Sequence, residues 1–140
     1  MTAHEYLNQI TDLDERIVSK VLYINKLKNE AQGTSVKFDG ERVQSSGSKQ
    51  RMADTVIKYV HIEQGELQEL YEERQEILNT MAMLPPLEHD VLFKYYVLGY
   101  ELQNIAKAYK KSYQWARDKR RYALKLLQRI LDERIGNEKE

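Results

Sequence analysis

The chain has 140 residues, of which 41% are hydrophobic and 31% charged, and its basic and acidic side chains balance to a net charge of zero. This composition is typical of one or two small helical domains, and the absence of cysteine excludes disulfides and thiolate metal sites. No apolar run approaches the ~20 residues that span a bilayer, and the N-terminus has neither the basic start nor the apolar core of a signal peptide, so we expect a cytoplasmic protein.

The first predicted helix opens with a capping box, in which the side chains of Thr2 and Glu5 each accept a hydrogen bond from the other residue's backbone N–H. Apolar residues then recur at alternating spacings of four and three, which is a heptad seam. The seam residues in this helix are Ile10, Leu13, Ile17, Ile24 and Leu27. Such a seam predicts a partner helix.

Residues 32–49 are rich in Gly, Ser, Thr and charge, and we expect a flexible loop there, either a solvated linker or a functional one. A second helix is predicted from near Gln50 to Met83. It continues the seam with Val56, Val60, Leu67, Leu70 and Ile77. Residues 1–84 therefore predict an antiparallel helical hairpin, although the seams can close within one chain or between two chains of a homodimer.

Pro85 and Pro86 mark the predicted domain boundary, because proline is excluded from helix interiors and favoured in a first turn. The second domain, residues 85–132, contains three predicted helices at 87–98, 101–109 and 113–132. Gly99 follows the first of them, where a left-handed backbone is cheap for glycine. The acidic tail, 133–140, is expected to fray, and the fold class is all-α.

The last two helices have the pattern of a helix-turn-helix, with Ser112 as the N-cap of the second. The apolar stripes are Leu102, Ile105, Ala106 and Tyr109, then Ala116, Ala123, Leu127 and Ile130. Residues 101–131 also hold nine Lys or Arg against two acidic residues, a net charge of +7 in a neutral chain. A basic helix concentrated in this way favours phosphate neutralisation over a merely solvated surface.

The segments LPPLEHDVLFKYYVLGY, LQNIAKAY, SYQWAR and ALKLL resemble region 4 of bacterial sigma factors, which recognises the promoter −35 element. The layout of the chain, including ERVQSSGSKQRMADTV, is similar to that of small transcriptional regulators from phages of Gram-positive bacteria. The resemblance implies a phage or prophage protein in the bacterial host cytoplasm, acting with host RNA polymerase. Two positions depart from the sigma pattern: Lys110 stands where glycine is frequent, and Lys119 stands where an apolar residue is common, so Trp115 is expected to supply packing.

Early residues of a recognition helix contact base edges, and this gives Tyr113, Gln114, Arg117 and Asp118 as candidates for base readout. Phosphate contacts are assigned to the cations and the hydroxyl around them. These residues are Lys107, Lys110, Lys111, Ser112, Lys119, Arg120 and Arg121. The expected partner is therefore double-stranded DNA, with no membrane partner.

Enzymatic activity is not expected, because the three histidines are scattered and no metal-binding or phosphate-loop motif occurs. No catalytic residue, metal or cofactor is assigned. Two alternatives to a regulator remain open at this point. One is a DNA-packaging adaptor similar to a small terminase subunit, and the other is a protein-interaction module whose basic helix binds the transcription machinery.

Overall fold

The structure is a computed structural model that describes residues 1–32 and 46–139, and all regular structure in those ranges is helical. The elements are α1 (Ala3–Gln32), α2 (Ser46–Gln64), α3 (Glu66–Met81), α4 (Pro86–Leu92), α5 (Leu102–Ala108) and α6 (Tyr113–Lys139). A π-helical turn, Phe93–Val97, continues α4 directly. The predicted all-α class is confirmed for these ranges. Most of the predicted loop 32–49 lies outside the described residues.

The predicted start of α1 is confirmed by both hydrogen bonds of its capping box. The backbone N–H of Glu5 donates to Thr2 Oγ1 at 3.1 Å, and that of Thr2 donates to Glu5 Oε2 at 3.3 Å. These bonds satisfy donors that a helix N-terminus otherwise leaves unpaired.

The predicted single helix from Gln50 to Met83 is interrupted at Gly65 and begins earlier, at Ser46. Gly65 still donates its N–H to the His61 carbonyl, and its own carbonyl accepts from Glu69. A Cβ at this position would lie 3.0 Å from the His61 carbonyl oxygen, so the local backbone is close to the limit that a larger residue tolerates. The interruption separates α2 from α3.

The chain forms two compact units, one made of Met1–Leu13 with Glu73–Glu140 and the other of Asp14–Glu72. Helices α1 and α3 contribute to both. The predicted domain boundary at residue 84 stays a prediction, and these units divide the chain after Leu13 and after Glu72 instead.

The core of the second unit consists of Ile24, Leu27, Ile62 and Leu67. Ile17 packs against this cluster. Three of the predicted seam residues are therefore core residues here, while Val60 and Leu70 are half-buried. Val56 is 37% exposed, whereas Ile62, which the predicted seam does not include, is buried.

The first unit has the larger core. Its fully buried side chains include Leu7, Ile10, Met81, Leu92, Ile105 and Leu127. The seam residues Leu13 and Ile77 are also buried. Polar contacts fix the start of α1 within this unit, since Tyr6 Oη donates to Thr80 Oγ1 at 3.0 Å and the Ala3 N–H donates to Gln128 Oε1 at 2.7 Å. Helices α4 and α5 both pack on α6.

The last helix is longer than predicted, because α6 continues through most of the acidic tail to Lys139. Gly136 is the only strong helix-disfavouring residue in that stretch, and one glycine costs only about 1 kcal/mol relative to alanine. The predicted end of this helix at residue 132 is therefore too early, while fraying of the acidic tail stays a prediction. None of the helices over residues 1–32 and 46–139 has the length and apolar character needed to cross a membrane.

Candidate nucleic-acid interface

A four-residue turn, residues 109–112, joins α5 to α6. Lys110 has a φ of 56°, the left-handed conformation for which glycine is usually preferred. The Lys111 N–H donates to the Ala106 carbonyl oxygen at 2.9 Å. Ser112 is the N-cap of α6, since its Oγ accepts a hydrogen bond from the Trp115 N–H at 3.1 Å. Gly99, with a φ of 75°, ends the preceding segment as predicted. These turns fix where α6 begins.

Helix α6 buries a narrow face made of two alanines and a leucine. Ala116, Ala123 and Leu127 are fully buried, and Ala106 of α5 is 3% exposed. The small side chains of the three alanines allow the backbones of α5 and α6 to approach closely. The face of α6 that remains outward is set by this contact.

The outward face of α6 contains Gln114, Arg117, Asp118, Arg121 and Lys125, all exposed. Their spacing of three or four residues places them along one side of the helix. Two of the candidates for base readout contact each other, since Gln114 Nε2 donates to Asp118 Oδ1 at 3.0 Å. The amide keeps a second N–H and its carbonyl oxygen for an external partner.

The exposed cations around the turn and along this face have no acidic partner in the described part of the chain. They are Lys107, Lys110, Lys111, Arg117, Arg121 and Lys125. Because no internal ion pair compensates these charges, they form a positive surface that includes the N-terminus of α6, where the helix dipole is also positive.

Lys119 occupies a different environment from these cations. Its Nζ lies 3.2 Å from Glu88 Oε1, and Glu88 in α4 is 8% exposed. A buried carboxylate needs a compensating charge, which Lys119 supplies. The residue that stands at an apolar position of the sigma pattern thus joins α6 to α4.

Arg120 also points into the first unit. Its guanidinium lies 4.6 Å from the centre of the Tyr95 ring and donates to Tyr96 Oη at 3.1 Å. The Tyr96 hydroxyl is 2.7 Å from Nδ1 of His4. Burial raises the pKa of Tyr96, and the neighbouring Arg120 offsets part of that rise. Arg120 therefore connects α6 to the π-helical turn and to the start of α1.

Tyr109 anchors the turn to α4. Its hydroxyl donates to Asp90, whose carboxylate is also 3.0 Å from Lys94 Nζ, and its ring lies 5.4 Å from that of Trp115. Burial, followed by the bond to Asp90, raises the pKa of Tyr109 to about 12. Burial alone would raise the pKa of Asp90, but the hydrogen bonds from Tyr109 and Lys94 outweigh it and lower that pKa.

Tyr113 is 49% exposed and lines a shallow groove with Tyr95, Leu102 and Gln103. It therefore lies at the junction of α5 and α6, beside the outward face. Of the predicted site residues, the structure brings Gln114, Arg117, Asp118 and Arg121 onto one face and turns Lys119 and Arg120 away from it.

Sequence reasoning missed Glu88 as the partner of Lys119. A signal for it exists, because Glu88 lies three and four residues before the buried Val91 and Leu92 and so shares their helix face. The residues that the structure describes contain no group of three or more His, Cys, Asp or Glu placed to hold a metal ion.

Comparisons of the chain with protein-family models, with curated proteins and with solved structures found no match.

Proposed function

We propose that this protein is a sequence-specific DNA-binding regulator of transcription, encoded by a phage or prophage, in which α5 and α6 act as a helix-turn-helix. The observation that carries the proposal is the outward face of α6. It presents an amide, two guanidiniums and a carboxylate near a capped helix N-terminus, and it is flanked by three exposed lysines at and before the turn. These are the groups that hydrogen-bond base edges and phosphates in a major groove.

Two residues on this face are assigned to base readout. Arg117 has the fork geometry that matches guanine O6 and N7, and Gln114 has the donor and acceptor that match adenine. Asp118 orients Gln114 through the 3.0 Å hydrogen bond between them. Tyr113, at the edge of the face, is assigned to the first bases or the sugar next to the helix N-terminus.

Phosphate contacts are assigned to Lys107, Lys110, Lys111 and Arg121, together with Ser112 at the cap. The proposal leaves out Lys119 and Arg120, because their charged groups contact Glu88, Tyr95 and Tyr96 within the chain. The resemblance to sigma region 4 adds host RNA polymerase as a second partner, so that the regulator brings polymerase to a promoter.

The proposal is tested by titrating the protein against DNA fragments from the surrounding genome at two salt concentrations. Phosphate contacts lose affinity steeply with salt, whereas preference for one fragment over bulk DNA reports base contacts. We expect one or a few fragments to keep their preference at the higher salt concentration. Uniform binding that collapses with salt would favour a packaging adaptor, and no binding at either concentration would favour a protein-interaction module.

A further inference from the structure

Helix α2 has two apolar faces, of which only one is buried. Ile62 is 6% exposed and packs in the core of the second unit. At 100° per residue, Ala53, Ile57 and Val60 lie about 140° to 180° around the helix from Ile62. Ile57 is 67% exposed, Ala53 is exposed and Val60 is half-buried. An apolar stripe therefore runs along the outer side of α2.

The interruption at Gly65 explains why this stripe is outside. In an uninterrupted helix, Leu67 would share a face with Val60, seven residues earlier, and would lie about 140° from Ile62. In the structure Ile62 and Leu67 belong to the same core cluster. The break at Gly65 thus turns α2 so that Ile62 faces α1 and the stripe that continues the heptad seam faces outward.

The outer stripe has the composition of a helix-pairing seam. Its members are Gln50, Ala53, Ile57, Val60 and Gln64, spaced by alternating three and four residues, and none is charged. Asp54 and His61, seven residues apart, border one side of it and are both exposed. Ala53 is small enough to allow a second helix to approach closely.

We propose that this outer stripe of α2 binds the same stripe of a second copy of the chain, with the two α2 helices antiparallel. A two-fold axis between Ile57 and Val60 packs Ile57 of each copy against Val60 of the other, and Ala53 against Gln64. In an antiparallel pair, flanking positions of the same kind face each other. Asp54 of each copy then meets His61 of the other, so a carboxylate faces an imidazole twice, and the interface is self-complementary.

The contact is small. Residues 50 to 64 span only about 21 Å of helix, so the buried area falls below the ~1,200 Å² of stable standard interfaces. We therefore expect a reversible dimer with a dissociation constant above about 1 μM. Self-association of this kind needs no DNA, so it can fail or hold independently of the proposed function.

The first test compares Ile57→Lys with Leu22→Lys in the full chain by sedimentation velocity, up to about 1 mM protein. Leu22 is the matched control, because it is 64% exposed and lies on the side of α1 away from the buried Ile24. The wild type and Leu22→Lys should approach twice the monomer mass with similar concentration dependence. Ile57→Lys should weaken association at least tenfold while keeping the wild-type helical circular dichroism, since Ile57 is outside the core.

A charge exchange tests the antiparallel arrangement. Asp54→Lys should weaken association, because a lysine then faces His61 of the other copy, and adding His61→Glu should restore it. A wild type that stays monomeric at all concentrations would overturn the proposal. So would equal weakening by Ile57→Lys and Leu22→Lys, or an association that Ile57→Lys leaves unchanged. Failure of the double exchange to restore association would overturn the antiparallel pairing.

Discussion

Helices α6 and α2 distribute their apolar residues in different ways. In α6 the apolar residues Ala116, Ala123 and Leu127 lie on one face, and all three are buried, so the charged face is outward without ambiguity. In α2 apolar residues occupy two faces, and the structure buries Ile62 while leaving Ile57 exposed. A single apolar face determines how a helix packs, whereas two apolar faces leave the choice to the neighbouring structure.

For α2 that choice depends on Gly65. In the sequence, the heptad spacing continues unchanged on both sides of this glycine. The seam therefore predicts that the side of α2 with Val56 and Val60 is buried. The backbone interruption shifts the register between α2 and α3. Exposed apolar residues on one helix face are then available for another partner, whereas the outward face of α6 suits a charged one.

The largest expected effect comes from truncating the buried side of α2. Ile62→Ala should lower the free energy of unfolding by about 3 kcal/mol, because it removes buried methyl groups and leaves a cavity in the cluster with Ile24, Leu27 and Leu67. The matched change Ile57→Ala, on the exposed side, should alter it by less than about 0.5 kcal/mol at a concentration where the chain is monomeric. Urea unfolding measures both. Equal losses would mean that α2 packs by the other face.

The C-terminal third is the part of the fold that local sequence signals predict best. The cap at Ser112, the left-handed turn at Gly99 and the buried stripe of α6 are each determined by residues within a few positions. Capping and turn chemistry are local, so the sequence alone contains them. The candidate readout face follows directly, because it is the side of α6 opposite the buried alanines.

Contacts between residues distant in the chain were not predictable in this way. Nothing in the first residues indicates that Tyr6 bonds to Thr80 or that Ala3 bonds to Gln128. The positive charges of Lys119 and Arg120 looked equivalent to those of Arg117 and Arg121, because charge counting does not say which side of a helix a long side chain follows. Only the packing of α4 and the π-helical turn separates the two pairs.

The next largest effect tests that separation within α6. Lys119→Ala should lower the free energy of unfolding by about 2 kcal/mol, because it leaves the buried carboxylate of Glu88 without its partner. Lys125→Ala, on the exposed face of the same helix, should leave stability unchanged within about 0.5 kcal/mol. Thermal or urea unfolding of the two variants gives the comparison, and a loss of the same size in Lys125→Ala would contradict it.

A smaller effect is expected at the anchor of the turn. Tyr109→Phe should lower the free energy of unfolding by about 1 kcal/mol through loss of the hydrogen bond to Asp90. The pKa of Asp90 is lowered in the folded protein. The contribution of the Tyr109–Asp90 hydrogen bond to the free energy of unfolding is therefore present above the ordinary Asp pKa of 3.8, and it is lost as the pH falls through the lowered pKa of the folded state. Because the pKa of Tyr109 is raised to about 12, it is also lost as the pH rises from 10 toward that value.

Unfolding measured across pH checks this prediction. The difference between wild type and Tyr109→Phe should be constant from about pH 5 to 9 and should narrow on both sides. A difference that does not narrow in acid would mean that the Tyr109 hydroxyl stabilises the fold without the Asp90 carboxylate.

The smallest expected effect separates stability from binding in the turn itself. Lys110→Gly should raise the free energy of unfolding by up to about 1 kcal/mol, because it relieves the left-handed backbone of a residue that has a Cβ. On the proposed function, it should also weaken DNA binding by removing one phosphate contact. Unfolding and binding titrations on the same variant measure the two effects, and a loss of stability would contradict the strain argument.

The proposed function requires that the outward face of α6 reads base sequence. This requirement is tested most directly by letting each of three proteins select the sequences that it binds from a random DNA library. These are the wild type, Arg117→Ala and Arg129→Ala, the last removing an equal charge from an exposed position farther along the same helix. We expect the wild type to select one motif, Arg129→Ala to select the same motif, and Arg117→Ala to lose the preference for guanine at one position of it. Selection of an unchanged motif by Arg117→Ala, or of no motif by the wild type, would contradict the account.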